Sequence, residues 1–275
     1  MKKTIIDAEK RGLQLELKEL LQYKDLFWTL AYRDYRVRYA QTFLGFAWAF
    51  IQPIATLLIF TLVFSRAVGV DTGDVPYPLF AVCGMMGWVY FAFVLNQSGN
   101  SLIGAQAIVK KIYFPRLIIP LSKAIVGLID YTISIILMVA LLIYFQFVPS
   151  GQWYLLPVVV LANGVAALGV GIWVSALTVR YRDFIHILPF MVQFGLYATP
   201  VGYPSSLLMD SLPQWAQGLY YLNPMAGIVE GYRAVLLGVP IPSPLSYLSL
   251  GVAVVLLVTG LFYFKKVEYQ IADLI

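Results

Sequence analysis

The charged positions of this chain are bunched, and between the bunches run long stretches with no charge. Residues 39–65, 75–109, 131–179, 187–209, 211–229 and 234–264 hold neither acid nor base. A helix needs about 20 apolar residues to cross a bilayer, so most of these stretches are long enough to span one. The run 131–179 is long enough for two, and Pro149, Ser150, Gly151 and Gln152 in its middle mark a turn. The pattern predicts an all-α polytopic membrane protein with six spans, at about 43–65, 78–98, 118–147, 154–178, 185–202 and 246–264. The segment 204–246 is apolar but broken. Ser211-Leu212-Pro213 signals a helix start with Ser211 as N-cap, running to about Leu222. Asn223-Pro224 starts a second helix, which ends at Gly238 before Val239-Pro240-Ile241-Pro242. These two short helices within 211–238 are predicted to be buried in protein or to line a cavity, because broken helices survive at membrane depth only there.

The first 42 residues read as an arm, not a separate domain, in front of the six spans at 43–275. Residues 13–21 and 25–39 mix aliphatic and aromatic side chains with charge. The second piece sets Leu26, Thr29, Leu30, Arg33 and Val37 along one helical stripe, with Trp28, Tyr32, Tyr35 and Tyr39 around it. Aromatics interleaved with arginine suit an amphipathic helix in the headgroup layer. A solvated helix docking on a partner is the alternative.

Composition narrows the class further. Of 275 residues 60% are hydrophobic and 12% charged, and the mean hydropathy is +0.79. So little polar surface cannot cover a water-soluble enzyme of this size, and so apolar a chain does not stay disordered. The net charge of +5 does not mark a nucleic-acid binder, because the basic residues follow the spans. Seventeen of the 19 fall before span one, between spans two and three or just inside span three, after span four, and after span six; Arg66 and Arg233 are the exceptions. Basic loops stay in the cytoplasm, so both termini are expected there. No secretory signal is expected, since the first long apolar run begins at residue 43.

Candidate chemistry is sparse. No G-x-x-x-x-G-K-[ST] loop occurs, so this chain is expected to bind no nucleotide and to carry no cofactor or metal. The single histidine, His186, lacks a metal or triad partner and is expected to cap the start of span five; the single cysteine, Cys83, reads as a packing residue. Asp130 lies deep in span three, with Lys123 two turns earlier on the same face. A proton or ion relay normally needs several such groups, so a local pair or hydrogen bond that fixes helix packing is the competing role. Glu230 and Arg233 stand at i and i+3 and can pair, or else anchor their helix at the interface. A membrane-embedded glycosyl or lipid transferase lacks a paired carboxylate or His-Asp set in the loops.

Two further patterns stand out. Phe190, Phe194 and Tyr197 form one stripe on span five with Gln193 beside it, and Phe46 and Phe50 repeat the i, i+4 spacing on span one. Such aromatic faces offer flat apolar contact with an amphipathic tip on Tyr197, although helix or lipid packing would use the same residues. In the loop 101–116, Ser101 is expected to cap a helix running to about Lys111, and Pro115 forces a turn. Lys110, Lys111 and Arg116 would ring an apolar knob of Ile112, Tyr113 and Phe114, a shape that fits a cleft on a soluble partner. Headgroup contact would explain the lysines but not three large apolar residues at a wet turn.

Four motifs resemble, in order and in register, those of polysaccharide-exporting ABC transporter permeases. They are Arg38-Tyr39 with Thr42-x-Leu44-Gly45-x-x-Trp48 and Pro53; Val109 to Arg116; Arg180-Tyr181-Arg182-Asp183; and Asn223 to Arg233. The resemblance implies the membrane subunit of a type-2 ABC exporter in the inner (plasma) membrane. It implies a homodimer working with two copies of a separate ATPase that uses the ATP, and a lipid-linked polysaccharide such as O-antigen, capsule or teichoic acid as cargo. It makes 101–116 the coupling helix, with Arg180–Asp183 in support. It makes the stripes of Phe46, Phe50, Phe190, Gln193, Phe194 and Tyr197 the substrate path, where flat aromatic faces would let sugar rings slide without one tight site. Tyr220, Tyr221, Asn223, Pro224, Glu230 and Arg233 are expected in an outer gate formed by the short helices. A drug or small-lipid exporter of the same superfamily is the alternative.

Overall fold

Apolar runs of this length satisfy their backbone in lipid by forming helices, and helices are the only regular elements among the described residues. The structure is a computed structural model and describes residues 17–39, 45–149, 152–209 and 211–274. The expectations for residues 1–16, Thr42, Leu44, Ser150 and Gly151 lie outside the described residues.

The arm holds α1 (Leu17–Gln22) and α2 (Lys24–Tyr39). Next comes α3 (Trp48–Phe60), preceded by a 3-10 turn and continued by a π-helical turn, so that one helical rod runs Gly45–Ala67. α4 (Tyr77–Gly99) is followed by α5 (Ser101–Gly104) and α6 (Gln106–Val109), and then by α7 (Ile118–Tyr144) and α8 (Leu156–Arg180). α9 (Phe184–Ala198), α10 (Ser206–Met209), α11 (Gln214–Tyr220), α12 (Pro224–Leu237) and α13 (Ser246–Leu274) complete the chain.

Among the described residues five helices are long and apolar enough to cross a membrane, where the charge pattern predicts six spans. The difference lies at 185–202. There α9 has only 15 residues, about 22 Å at 1.5 Å per residue, against a hydrocarbon layer of about 30 Å. Pro200 is the reason for the early stop: the residue before a proline is driven to extended backbone, and Thr199 is extended.

α4 is the central post. In its most apolar stretch 78% of residues are buried, against 11% in the rod Gly45–Ala67. Between membrane helices, close van der Waals approach through small residues replaces the hydrophobic drive, and glycines supply it here. A Cβ on Gly87 would stand 3.0 Å from the Tyr232 ring on α12, and one on Gly169 of α8 would stand 2.9 Å from the Leu257 nitrogen on α13. The main core joins α4, α7, α8, α12 and α13, and Cys83 is buried in it as a packing residue. A second core at the basic end includes Leu30, Leu102, Phe114, Ile172 and Phe264.

Candidate functional site

The loop between α4 and α7 is not one helix. α5 and α6 are single turns broken at Ala105, and Ser101 does not cap them: its hydroxyl donates to the Ser98 carbonyl at 2.6 Å. At the tip, Lys110, Lys111, Ile112 and Tyr113 are exposed around a hollow of about 230 Å³ that Phe114 and Arg116 also line. Phe114 itself is 4% exposed and sits in the second core. The expected three-residue knob is therefore two residues wide, because the third is the loop's anchor.

Arg116 is the other anchor. Its backbone N–H donates to Glu268 Oε1 at 2.9 Å, and its guanidinium donates to the Glu268 carbonyl. Lys265 Nζ pairs with the other Glu268 oxygen at 3.0 Å. Tyr113 donates to Glu19 of α1 at 3.5 Å. Partial desolvation, with the Glu19 and Glu268 carboxylates beside it, holds the Tyr113 phenol above its ordinary pKa. The loop is thus tied to both ends of the chain. Glu19 and Glu268 were not singled out from sequence; the one hint was Lys265 and Glu268 at i and i+3 past the last span. The second turn, from the end of α8 to the start of α9, is short, with Tyr181, Arg182 and Asp183 exposed. His186 does not cap α9. It lies exposed within the helix, and its N–H donates to the Asp183 carbonyl at 3.0 Å.

The arm is built into the bundle. On α2 the stripe Leu26, Thr29, Leu30, Arg33 and Val37 coincides with the docking face only in part, since Leu26 and Leu30 pack on the second core while Val37 points outward. Leu30 and Ala31 are buried, and Asp34 and Arg38 continue that face along α7. Arg38 Nη1 pairs with Asp130 Oδ2 at 2.6 Å, and its guanidinium lies 4.8 Å from the Phe93 ring centroid on α4. Lys123 pairs with Asp34, which also accepts from Arg33 at 2.8 Å. Asp130 and Lys123 do not pair locally. Each finds an opposite charge on α2, so the intramembrane carboxylate fixes packing between helices. Trp28 and Tyr32 stay exposed on the far side of α2.

The aromatic stripe of α9 is on the surface of the chain. Phe190, Gln193, Phe194 and Tyr197 are all exposed, and Phe190 and Phe194 stack with ring centroids 6.3 Å apart. Phe46 is exposed and Phe50 half-buried in the helical rod Gly45–Ala67, with ring centroids 5.7 Å apart and edge to face.

At the opposite end α12 follows the sequence signals. Asn223 caps it by accepting from the Met225 N–H at 3.0 Å, Pro224 opens it, and Gly238 closes it in the left-handed conformation. α11 follows them less closely. It ends at Tyr220, and the Ser211 hydroxyl turns back to the Leu207 carbonyl instead of capping. Glu230 and Arg233 do not pair within ion-pair distance. Glu230 accepts from the Ser205 hydroxyl and from Tyr221 OH at 2.9 Å, while Arg233 turns to carbonyls. Tyr221 is wholly buried, which removes it from any accessible gate surface, and Tyr220 is half-buried beside it.

Chemically, these features offer binding surfaces and mechanical links. Among the described residues no cluster of three His, Cys, Asp or Glu could hold a metal ion.

The chain matches the family model of the ABC-2 type transporter over residues 25–237. It is 28% identical over 259 residues to the "O-antigen export system permease protein RfbA" of Myxococcus xanthus, covering 94% of this chain and 98% of that protein. It is 26% identical to the protein of the same name from Klebsiella pneumoniae, covering 96% and 100%. It is 21% identical to the "Polysialic acid transport protein KpsM" of Escherichia coli, covering 72% and 76%.

Proposed function

Because the chain belongs to the ABC-2 type transporter family, we propose that it is the membrane subunit of an ATP-driven exporter that moves a lipid-linked, O-antigen-like polysaccharide out of the cytoplasm. The observation that carries this reading is the likeness to O-antigen export permeases along almost the whole chain. In this reading the protein lies in the inner membrane with both termini cytoplasmic, and two copies form the channel. ATP is bound and hydrolysed by two copies of a separate ATPase. The exposed tip Lys110–Tyr113 enters a cleft on that ATPase, and Arg116, clamped to Glu268, passes the push to α13. Phe46, Phe50, Phe190, Gln193, Phe194 and Tyr197 line the path, where flat rings guide sugars. α11 is the movable part of the outer gate, because α12 is packed into the core. Lipid contacts fall to the exposed aromatics of α2.

Deleting the gene should abolish surface polysaccharide and leave lipid-linked polymer inside the cell, and the intact gene should restore export. Immunoblotting of surface and cytoplasmic fractions reads both. Unchanged surface polysaccharide in the deletion strain refutes the cargo.

A further inference from the structure

The stretch that follows α9 satisfies only part of its own backbone: the Val201 N–H donates to the Thr199 carbonyl, but the carbonyls of Val201, Gly202 and Tyr203 find their donors on other elements. Thr199 is extended, and the next residues run on without helix as far as Tyr203. Carbonyls left open in a low-dielectric surrounding are costly, so donors must come from elsewhere. Arg233 of α12 supplies most of them. It is 3% exposed, and its Nη2 donates to the Val201 carbonyl at 2.7 Å and its Nη1 to the Tyr203 carbonyl at 3.4 Å. Its Nε reaches the Phe80 carbonyl on α4 at 3.5 Å, and the guanidinium lies 3.6 Å from the Phe80 ring centroid. Tyr77 OH covers the Gly202 carbonyl at 2.8 Å, and Asn223 Nδ2 donates to the Thr199 hydroxyl at 2.9 Å. A second feature serves the same contact. A Cβ at Gly84 of α4 would lie 2.5 Å from the Val201 oxygen and 2.9 Å from Arg233 Nη2, so glycine lets the segment close on α4.

We propose that Arg233 is the positioning residue of α9: it holds Val201–Tyr203 against α4 and so sets where the aromatic face of α9 stands. The proposal rests on the reading of α9 as a wall of the transport path. A planar fork of five donors can reach carbonyls on two elements while its face stacks on a ring. A lysine ammonium keeps the charge but gathers its donors at one point, so charge alone does not hold the segment.

The test uses the full chain in its native membrane with Cys83→Ala as background and Val201→Cys as reporter. Ala166→Cys, equally buried in the main core, is the control. With Arg233 present, both cysteines resist N-ethylmaleimide. Arg233→Met should speed labelling at position 201 by about tenfold or more, as expected for losing charge-assisted hydrogen bonds, and leave position 166 protected. Surface polysaccharide should fall while protein level holds. Arg233→Lys should also expose position 201, and it serves as the main variant if Arg233→Met fails to accumulate. Continued protection at 201 in the variant overturns the anchoring. Equal labelling at 201 and 166 shows general unfolding and overturns a local role. Fast labelling at 201 with full export overturns the link to transport. If the unaltered chain restores no surface polysaccharide, the transport reading fails, and the labelling still decides whether Arg233 holds the segment.

Discussion

Asp130 and Lys123 lie on one face of α7, and both are answered from α2, with the signs crossed. Asp34 faces Lys123, and Arg38 faces Asp130. Removing Arg38 strands the buried Asp130, and removing Asp34 strands the buried Lys123. Arg38→Asp should cost more than the roughly 1 kcal/mol of an exposed pair and less than the roughly 3–5 kcal/mol of a fully buried one. Adding Asp130→Arg to it should recover at least half of the loss. Thermal unfolding of the detergent-purified protein completes the double-mutant cycle, and no recovery means the pair is not a coupled unit. The loop tip separates in the same way. Phe114→Ala should destabilise by about 3–5 kcal/mol, the cost of emptying a buried aromatic site. Ile112→Ser with Tyr113→Ser should stay within about 0.5 kcal/mol of the parent yet lose co-purification of the ATPase. Retained ATPase binding and export in that double variant refute the docking role.

α11 and α12 read alike in sequence, as short apolar helices with a proline near the start, but they differ in how they are held. α12 is capped at both ends, and its small residues press on a neighbour: a Cβ on Gly227 would come within 2.1 Å of the Ser246 carbonyl at the start of α13. That neighbour is backbone and cannot turn aside, so Gly227→Ala should cost at least the roughly 1–3 kcal/mol of overpacking. Gly218 of α11 has nothing within 4 Å of the same position. Gly218→Ala should be neutral or gain up to about 1 kcal/mol from helix propensity. Melting of the two purified variants checks the contrast, and equal effects would mean α11 is packed as tightly as α12. The signals at Asn223, Pro224 and Gly238 were legible because a cap is made by residues two or three apart. The one at Ser211 failed because its hydroxyl found a nearer acceptor one turn back, the Leu207 carbonyl.

Across the whole molecule, burial is lopsided. α4 is enclosed, while the rod Gly45–Ala67 and α9 show apolar and aromatic faces that the described residues do not cover. These open faces support the proposal that the path forms between two copies, since two-fold pairing is the commonest closed arrangement. The purified complex should show two copies of this chain and two of the ATPase by native mass spectrometry. A single copy of this chain in an export-competent complex would refute the channel proposed above.

The sequence by itself determined the class of protein and the places of five long helices, because the length of an uncharged run is a local property and lipid admits few other structures. It also determined both ends of α12 and the basic bias of the loops. Tertiary structure alone decided the partners of the buried charges. Arg38 meets Asp130 across 92 residues and Lys123 meets Asp34 across 89, separations that no local pattern encodes. It also decided that Phe114 turns inward, since burial depends on what α2, α8 and α13 bring to the same place. The shortening of α9 stood between the two. Pro200 was in plain view, but a broken helix at that depth is stable only because Arg233 and Tyr77 arrive from other elements to satisfy the carbonyls it leaves open.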